Sequence, residues 1–372
     1  MNKRQIPVVV LAGFLGSGKT TLLNHLLHRS GGTRIGAIVN DFGSIEIDAM
    51  SVAGQLGDST VSLGNGCLCC AVDASELDEY LERLAAPAAG IDVIVIEASG
   101  LAEPQELVKM VLAGENPHTV YGGLVEVVDA AEFDATRQRH PEVDRHLGIA
   151  DLVVVNKTDR VPGAERERVL DVVRGLAGRA AVVAASYGRV DVELFFDRAP
   201  VGERVGQLSF DDLRDHDATV GQDGDADALQ GECADGECSG HAHHPHSAYE
   251  SLSFTSEVPL DPRHLMALLD SRPEGLYRIK GYVDFGASDP RNRYAVHAVG
   301  RFLRFYPEPW GADEPRLTRL VLIGSDIDAA GLGKGLDACR ADAPHTADEQ
   351  GMWGVLRYVQ EPEETAEADP EG

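Results

Sequence analysis

The sequence predicts an α/β fold, with a mostly parallel sheet covered by helices on both faces and followed by a smaller α+β domain. Up to about residue 200, apolar and β-branched runs alternate with amphipathic segments, as strands and helices do when they alternate along a chain. A stretch rich in Asp, Gly, Glu and His interrupts this pattern over 201–248 and is interpreted as a linker. Apolar segments resume over 249–360, and the acidic tail over 361–372 is expected to be disordered.

Each apolar run is interpreted as a strand. In the first domain the expected strands are Val8–Ala12, Ile35–Asn40, Ile91–Glu97, Gly123–Asp129, Leu152–Asn156 and Ala181–Ala184. In the second domain we expect strands at Leu252–Thr255, Tyr277–Val283, Tyr294–Phe305 and Leu317–Ile323, and helices at Pro262–Leu269 and Asp328–Arg340. Parallel sheets bind ligands at the carboxyl ends of their strands, so polar residues at those ends are candidates for a site.

Composition restricts the classes of function. The net charge of −28 at pH 7 argues against direct binding of nucleic acid, because such binding needs Lys and Arg to neutralise phosphates. No apolar run is long enough to span a bilayer, and the N-terminus lacks the pattern of a signal peptide. We therefore expect a cytoplasmic protein with no membrane partner. Five of the six cysteines lie in two clusters, which indicates metal or redox chemistry, whereas Cys339 is expected to be a small buried residue.

The first motif is a phosphate-binding loop between a predicted strand and a predicted helix. The pattern G-x-x-x-x-G-K-[ST] is matched by Gly13-Phe14-Leu15-Gly16-Ser17-Gly18-Lys19-Thr20. Backbone N–H groups of such a loop point at phosphate oxygens, and the helix that follows adds its positive dipole end. We expect Lys19 to reach the β- and γ-phosphates and the Thr20 hydroxyl to ligate Mg²⁺. The other expected nucleotide contacts in this loop are Gly13, Gly16, Ser17, Gly18 and Thr21. The motif predicts the fold of P-loop NTPases.

Two further strand ends carry residues suited to the phosphates. Glu97 ends the strand Ile91–Glu97, where a carboxylate holds Mg²⁺ directly or through water, or positions the attacking water. The Gly100 N–H that follows is placed to sense the γ-phosphate. Asp41 follows the second strand, where a first switch segment would lie. The predicted catalytic residues are therefore Lys19, Thr20, Asp41 and Glu97.

The residues at the end of a third strand indicate which base the bound nucleotide carries. Asn156-Lys157-Thr158-Asp159 matches the N-K-x-D pattern with which GTP-binding proteins recognise guanine. Asp159 would accept the paired N–H groups of guanine, which adenine lacks, and a wrong base would leave the carboxylate unpaired. Asn156 and Lys157 are assigned to the same site, and Ser186 is a candidate for the border of the base pocket. The predicted nucleotide is GTP.

Cysteines provide a candidate metal site inside the first domain. Cys67, Cys69 and Cys70 lie within four residues and follow a Gly-rich turn. Thiolates select Zn²⁺, Cu(I) and similar ions over Mg²⁺, and three local ligands leave a fourth position open for transfer. Packed or redox-active thiols are the alternative interpretation.

The predicted linker carries a second cluster, which consists of Cys233, Cys238, His241, His243, His244 and His246. Cysteine and histidine side chains this close together can collect late first-row metals. We expect a loading arm that supplies metal to the Cys67–Cys70 motif. A solvated polar loop with incidental histidines is the alternative.

Together the motifs resemble the CobW family of P-loop GTPases. The resemblance consists of Gly13–Asn24, Asn40-Asp41-Phe42-Gly43, Asn65-Gly66-Cys67-Leu68-Cys69-Cys70, Glu97–Pro104 and Asn156–Asp159, in this order, and it extends to Arg278-Ile279-Lys280-Gly281 and the segment from Trp310 to Gly324. It implies a GTPase domain over 1–200 and a CobW-type C-terminal domain over 249–360. It also implies a GTP-hydrolysing metallochaperone that uses GTP and Mg²⁺, binds Zn²⁺ at Cys67, Cys69 and Cys70, and delivers it to a client metalloprotein.

Two other functions stay open at this point. The cargo could be Co²⁺, for cobalamin synthesis or nitrile hydratase activation, because thiolate sites discriminate poorly between Zn²⁺ and Co²⁺. Alternatively, the protein is a zinc-responsive regulatory module that recruits a partner, such as a ribosome-associated factor. A homo-oligomer is compatible with each of these functions.

Overall fold

The computed structural model of the protein describes residues 5–30, 32–40, 60–63, 74–100, 102–196, 249–271, 273–311, 314–341 and 349–359. Within these ranges the chain forms two sheets with helices packed against them. No helix in the described ranges has both the length and the apolar character needed to cross a bilayer.

The first sheet has seven described strands, and all of its pairings are parallel. The strands are β1 (Ile6–Ala12), β2 (Ile35–Asn40), β3 (Thr60–Leu63), β4 (Val93–Glu97), β5 (Thr119–Asp129), β6 (Leu152–Asn156) and β7 (Ala181–Ala184). Their order in the sheet is β3-β2-β4-β1-β5-β6-β7. Every residue of β4 and β6 is buried, as expected for strands covered on both faces. The predicted α/β class is confirmed.

Helices cover both faces of this sheet. They are α1 (Lys19–His28), α2 (Ala74–Ala85), α3 (Pro104–Ala113), α4 (Phe133–Arg139), α5 (Glu142–Ile149) and α6 (Gly163–Ala177). Successive side chains of a strand point to opposite faces, so β1 contributes to two cores. Val9 and Leu11 pack with Leu22 and Leu26 of α1. Val8 and Val10 pack in the other cluster, which contains residues of α2 and α3.

The sequence located six of the seven described strands of this sheet, although β1, β4 and β5 begin at Ile6, Val93 and Thr119 rather than at Val8, Ile91 and Gly123. β2, β6 and β7 have the predicted bounds. Within β5 the pairing with β1 shifts register between Val8 and Val9, so that Gly122 is an extra residue. The edge strand β3 was not predicted, since four residues containing a Thr and a Ser carry too little apolar periodicity.

The second sheet is antiparallel and has five described strands in the order β11-β10-β9-β12-β8. The strands are β8 (Glu250–Ser256), β9 (Leu276–Val283), β10 (Asn292–Val299), β11 (Phe302–Pro309) and β12 (Thr318–Gly324). The helices are α7 (Pro262–Ser271), α8 (Ala329–Ala338) and the single turn α9 (Trp353–Leu356). Cys339 follows α8 and is buried, as predicted.

The prediction of one strand over Tyr294–Phe305 is wrong. Val299 pairs with Phe302, so Gly300 and Arg301 form a two-residue turn between β10 and β11. The turn interrupts the apolar pattern for only two residues, which explains why the sequence pattern did not reveal it.

The two domains meet at the amino-terminal ends of the parallel strands. Tyr277, Val299 and Ile323 of the second domain belong to the same buried cluster as residues of the first. Ser325 Oγ donates to the Val182 carbonyl oxygen at 2.8 Å. The carboxyl ends of the strands therefore lie at the opposite edge of the sheet, away from this contact.

Candidate functional site

Three of the predicted motifs meet at the carboxyl edge of the parallel sheet. The phosphate-binding loop follows β1, Glu97 ends β4, and Asn156 ends β6. β4 and β5 flank β1, and β6 lies next to β5. The sheet order therefore brings the phosphate motifs and the N-K-x-D motif to the same side of the molecule.

Gly18 fixes the shape of the phosphate-binding loop at the start of α1. Its backbone is left-handed, with φ 103°, and it occupies the N-cap position of the helix. A Cβ atom here would lie 2.3 Å from Nδ2 of Asn156, so only glycine fits. Gly18 has no side chain that could accept from the first-turn N–H groups of α1. In helix starts that bind anions, such first-turn N–H groups bind the ligand.

Lys19 is buried inside the curve of this loop. Its Nζ donates to the carbonyl oxygens of Gly13 at 2.7 Å and Phe14 at 3.1 Å. Burial lowers the pKa of Lys19, whereas the nearby carboxylates of Glu97 and Glu126 raise it. The ammonium group is therefore held at the position from which the loop would contact phosphate.

Thr20 and Glu97 form a direct pair across the sheet edge. Thr20 Oγ1 donates to Glu97 Oε1 at 2.6 Å, and Glu97 is buried. Hydroxyl and carboxylate oxygens are the ligand types that Mg²⁺ prefers. The chemistry of this pair fits a magnesium ion.

The segment after β4 contacts the phosphate-binding loop. A Cβ atom on Gly100 would lie 2.6 Å from the backbone nitrogen of Leu15. Because the segment around Gly100 and the phosphate-binding loop are closely packed, a displacement of one would displace the other. This contact links the residues that follow Glu97 to the loop.

Asn156 connects the N-K-x-D motif to two loops. Its Nδ2 donates to the Ser17 carbonyl oxygen at 3.0 Å, and its Oδ1 accepts from the Gly188 N–H at 2.9 Å. Both ends of the amide thus bind the backbone, which holds the phosphate-binding loop against the segment after β7.

Lys157 and Thr158 of the same motif contact residues at the carboxyl ends of β5 and β7. Lys157 has a left-handed backbone, with φ 59°, and its Nζ lies 2.6 Å from Oδ2 of Asp129. Thr158 Oγ1 donates to the Ala185 carbonyl oxygen at 2.9 Å and lies 3.0 Å from Ser186 Oγ. Asp159 is exposed. Its carboxylate is therefore accessible to a base.

Sequence reasoning missed Glu126, a buried carboxyl group behind the loop. Glu126 lies on β5, is 2% exposed and lines a cavity of about 310 Å³ together with Phe14, Leu15, Gly16 and Ser17. Burial raises the pKa of Glu126 to about 8, although Lys19 acts in the opposite direction. An acidic residue within the apolar run Leu124–Val128 was the available signal, since an unpaired carboxylate is rarely buried in a strand.

Other predicted site residues lie outside the described residues. They are Asp41, Cys67, Cys69 and Cys70, and the linker residues Cys233, Cys238, His241, His243, His244 and His246. β2 ends at Asn40, directly before Asp41 in the sequence, and β3 ends four residues before Cys67. In the part of the chain that the structure describes, no group of three or more His, Cys, Asp or Glu side chains is placed to hold a metal ion.

Comparison with known protein families identifies both domains. The family described as "CobW/HypB/UreG, nucleotide-binding domain" matches residues 7–184. The family described as "Cobalamin synthesis protein cobW C-terminal domain" matches residues 249–340.

Two curated relatives match this chain over most of their own length. A protein named zinc chaperone CobW from a Sinorhizobium species is 30% identical, and the match covers 91% of this chain and 98% of that protein. A protein of the same name from Pseudomonas aeruginosa is also 30% identical, over 89% of this chain and 91% of that protein. The crystal structure of Zn(II)-bound YjiA GTPase from E. coli is 21% identical, over 91% of this chain and all of that chain, with a TM-score of 0.41. On the family matches and the full-length relatives, this chain belongs to the CobW family.

Proposed function

We propose that this protein is a GTP-hydrolysing metallochaperone that binds zinc, delivers it to a client metalloprotein and couples its nucleotide state to its zinc affinity. One observation carries the proposal: Lys19, the Thr20–Glu97 pair and the segment Asn156–Asp159 meet at one sheet edge. The cysteines of the C-X-C-C motif, Cys67–Cys70, fall in the sequence between two strands of the same sheet. The names of the full-length relatives support zinc as the cargo.

GTP would lie along the carboxyl edge of the sheet. Backbone N–H groups of the loop from Gly13 to Gly18, and the start of α1, would bind the phosphates. Lys19 would supply a positive charge to the β- and γ-phosphates. Asp159 is exposed and would accept from the guanine N–H groups, and Asp129 holds the side chain of Lys157, another residue of the motif.

Thr20 and Glu97 would hold Mg²⁺. When bound, the ion would neutralise charge that develops on the phosphate oxygens. The hydrogen bond between the two side chains orients Oε1 of Glu97 towards the first turn of α1. The carboxylate is buried, so its position is set by the protein rather than by solvent.

A packed route runs from the segment around Gly100 to α2, the helix that begins four residues after Cys70 in the sequence. Ala98 and Ala102 flank the expected γ-phosphate contact at Gly100. Both belong to the buried cluster that contains Leu77 and Leu81 of α2. Helix α2 is the element that follows Cys70 in the sequence. A rearrangement near Gly100 would therefore act on α2, the helix that follows the motif in the sequence.

Three thiolates suit a zinc ion that must later leave. A site with three protein ligands keeps one coordination position open for an exchanging ligand, such as a client's side chain. By linkage, any effect of nucleotide on zinc affinity requires an equal effect of zinc on nucleotide affinity. GTP hydrolysis would then reset the protein after release of zinc.

Two variants test the proposal by separating its two sites. Lys19→Ala should abolish GTP hydrolysis, measured as phosphate release, and keep nucleotide-free zinc binding, measured by competition with a chromophoric chelator. Cys69→Ser should lose zinc binding and keep GTP binding. A wild-type protein that neither hydrolyses GTP nor binds zinc contradicts the proposal. The same competition with Co²⁺ measures which metal the site prefers.

A further inference from the structure

We infer that Glu126 is a positioning residue of the nucleotide site. Its buried carboxyl group acts on bound triphosphate through Lys19, and the protein binds the triphosphate tightly only when this carboxyl group is neutral. The inference rests on the proposed function, because it concerns the same GTP site. It assigns a role to a residue that belongs to none of the nucleotide motifs.

Geometry places Glu126 directly behind the phosphate-binding loop. In the parallel pairing of β1 with β5, Glu126 is the partner of Ala12, the residue before Gly13. Its side chain lines the cavity of about 310 Å³ that the loop residues Phe14 and Ser17 also line. Its Oε2 atom is buried and has no hydrogen-bond partner among the described residues. The carboxyl group is thus enclosed next to the site without the contacts that a structural ion pair would have.

The surrounding charges leave Lys19 as the partner of Glu126. The charged groups facing this region are Lys19 of α1, Glu97 of β4, Asp129 of β5, Glu132 just before α4, Arg139 at the end of α4, and Lys157 after β6. Lys157 and Asp129 bind each other, and Glu132 and Arg139 are exposed to solvent. Glu97 lies across β1 and is bonded to Thr20. The ionised form of Glu126 would therefore compete with phosphate for Lys19.

Burial favours the neutral form at neutral pH. A carboxylate taken out of water without hydrogen bonds is costly, and the pKa of Glu126 is accordingly raised to about 8. Below this pH the neutral acid leaves the charge of Lys19 to the phosphates. Above it, the ionised group both attracts Lys19 and repels the triphosphate.

Linkage fixes the direction of the effect. Bound phosphates disfavour ionisation of Glu126, so binding raises its pKa further and the complex takes up a proton from solvent. Affinity for the triphosphate is therefore highest well below the pKa that Glu126 has in the nucleotide-free protein, and it falls as the pH rises through that pKa. For one group with a pKa of about 8, the loss between pH 7 and pH 9 is about tenfold.

The test compares the wild type with Glu126→Gln, which mimics the neutral acid. Binding of the non-hydrolysable β,γ-imido analogue of GTP with Mg²⁺ is measured by calorimetry from pH 7 to pH 9. Titration of the nucleotide is common to both proteins and cancels in the comparison. We expect similar affinities at pH 7 and an affinity about tenfold higher for Glu126→Gln at pH 9. At pH 8, wild-type binding should take up about half a proton more than binding by the variant.

Glu106→Gln is the control for the charge change, since Glu106 lies on the exposed face of α3 and pairs with Lys109. It should follow the wild-type pH profile. If Glu126→Gln does not fold, Glu126→Met removes the same titrating group and should give the same flattened profile.

Two failures are distinguishable. Superimposable pH profiles and equal proton uptake for wild type and variant overturn the role of Glu126 and leave the proposed function intact. A wild type that does not bind the analogue at any pH overturns both.

Discussion

Replacing Gly18 with alanine should weaken GTP binding by about 100-fold or more. Gly18 adopts a φ of 103°, which an alanine reaches only with strain. Its new Cβ would also lie 2.3 Å from Nδ2 of Asn156, well inside van der Waals contact. Asn156 would have to move, although its amide joins the Ser17 carbonyl and the Gly188 N–H.

The magnitude follows from these two effects. A left-handed backbone costs a residue with a Cβ about 1–2 kcal/mol. Loss of the two hydrogen bonds of Asn156 adds about 1 kcal/mol each. The nucleotide-competent loop would therefore be disfavoured by about 3–4 kcal/mol, and each 1.4 kcal/mol is a factor of ten in affinity.

The assay is equilibrium binding of the β,γ-imido analogue, with thermal unfolding followed in parallel. Gly32→Ala is the matched control, since Gly32 has a φ of 96° but a Cβ there would meet no atom within 4 Å. It should lose stability from backbone strain and keep wild-type affinity. If Gly18→Ala binds the analogue within about threefold of the wild type, the reasoning about this contact is wrong.

Three further changes test other parts of the site. Asp159→Asn should weaken GTP binding by about 100-fold, because a donor replaces the charged acceptor for guanine, while nucleotide-free zinc binding stays unchanged; equal GTP affinities would contradict the assignment. Deletion of residues 231–247 should reduce the zinc equivalents bound by the full chain, measured by metal analysis, and unchanged stoichiometry and affinity would exclude a loading arm. Glu126→Gln should unfold at a higher temperature than the wild type at pH 8. The raised pKa of Glu126 means that the folded state binds its proton more tightly, so wild-type stability falls as pH rises from about 4.5 to about 8. Thermal unfolding near pH 4 should show no such difference, and a gain that persists there would refute the linkage.

The sequence predicted the parts of the site that depend on local pattern. A Gly-rich loop between a strand and a helix, and polar residues directly after apolar strands, locate Lys19, Glu97 and Asn156 without knowledge of the packing. The parallel order then brings these strand ends to one edge, as the alternation of strands and helices predicts.

Long-range contacts were not predictable in the same way. The pairing of Asp129 with Lys157 and the two backbone bonds of Asn156 depend on which strands become neighbours. The charge of Glu126 was visible in the sequence, but its position behind Lys19 requires the pairing of β5 with β1. The turn at Gly300 was missed because apolar residues continue on both sides of it.

The most direct test of the central claim measures zinc affinity in two nucleotide states. Chelator competition gives the dissociation constant for Zn²⁺ with GDP bound and with the β,γ-imido analogue of GTP bound. We expect the two constants to differ, and the same ratio must appear when the affinities for the two nucleotides are compared with and without zinc. Equal zinc affinities in the two states would contradict coupling between the phosphate site and the cysteine motif.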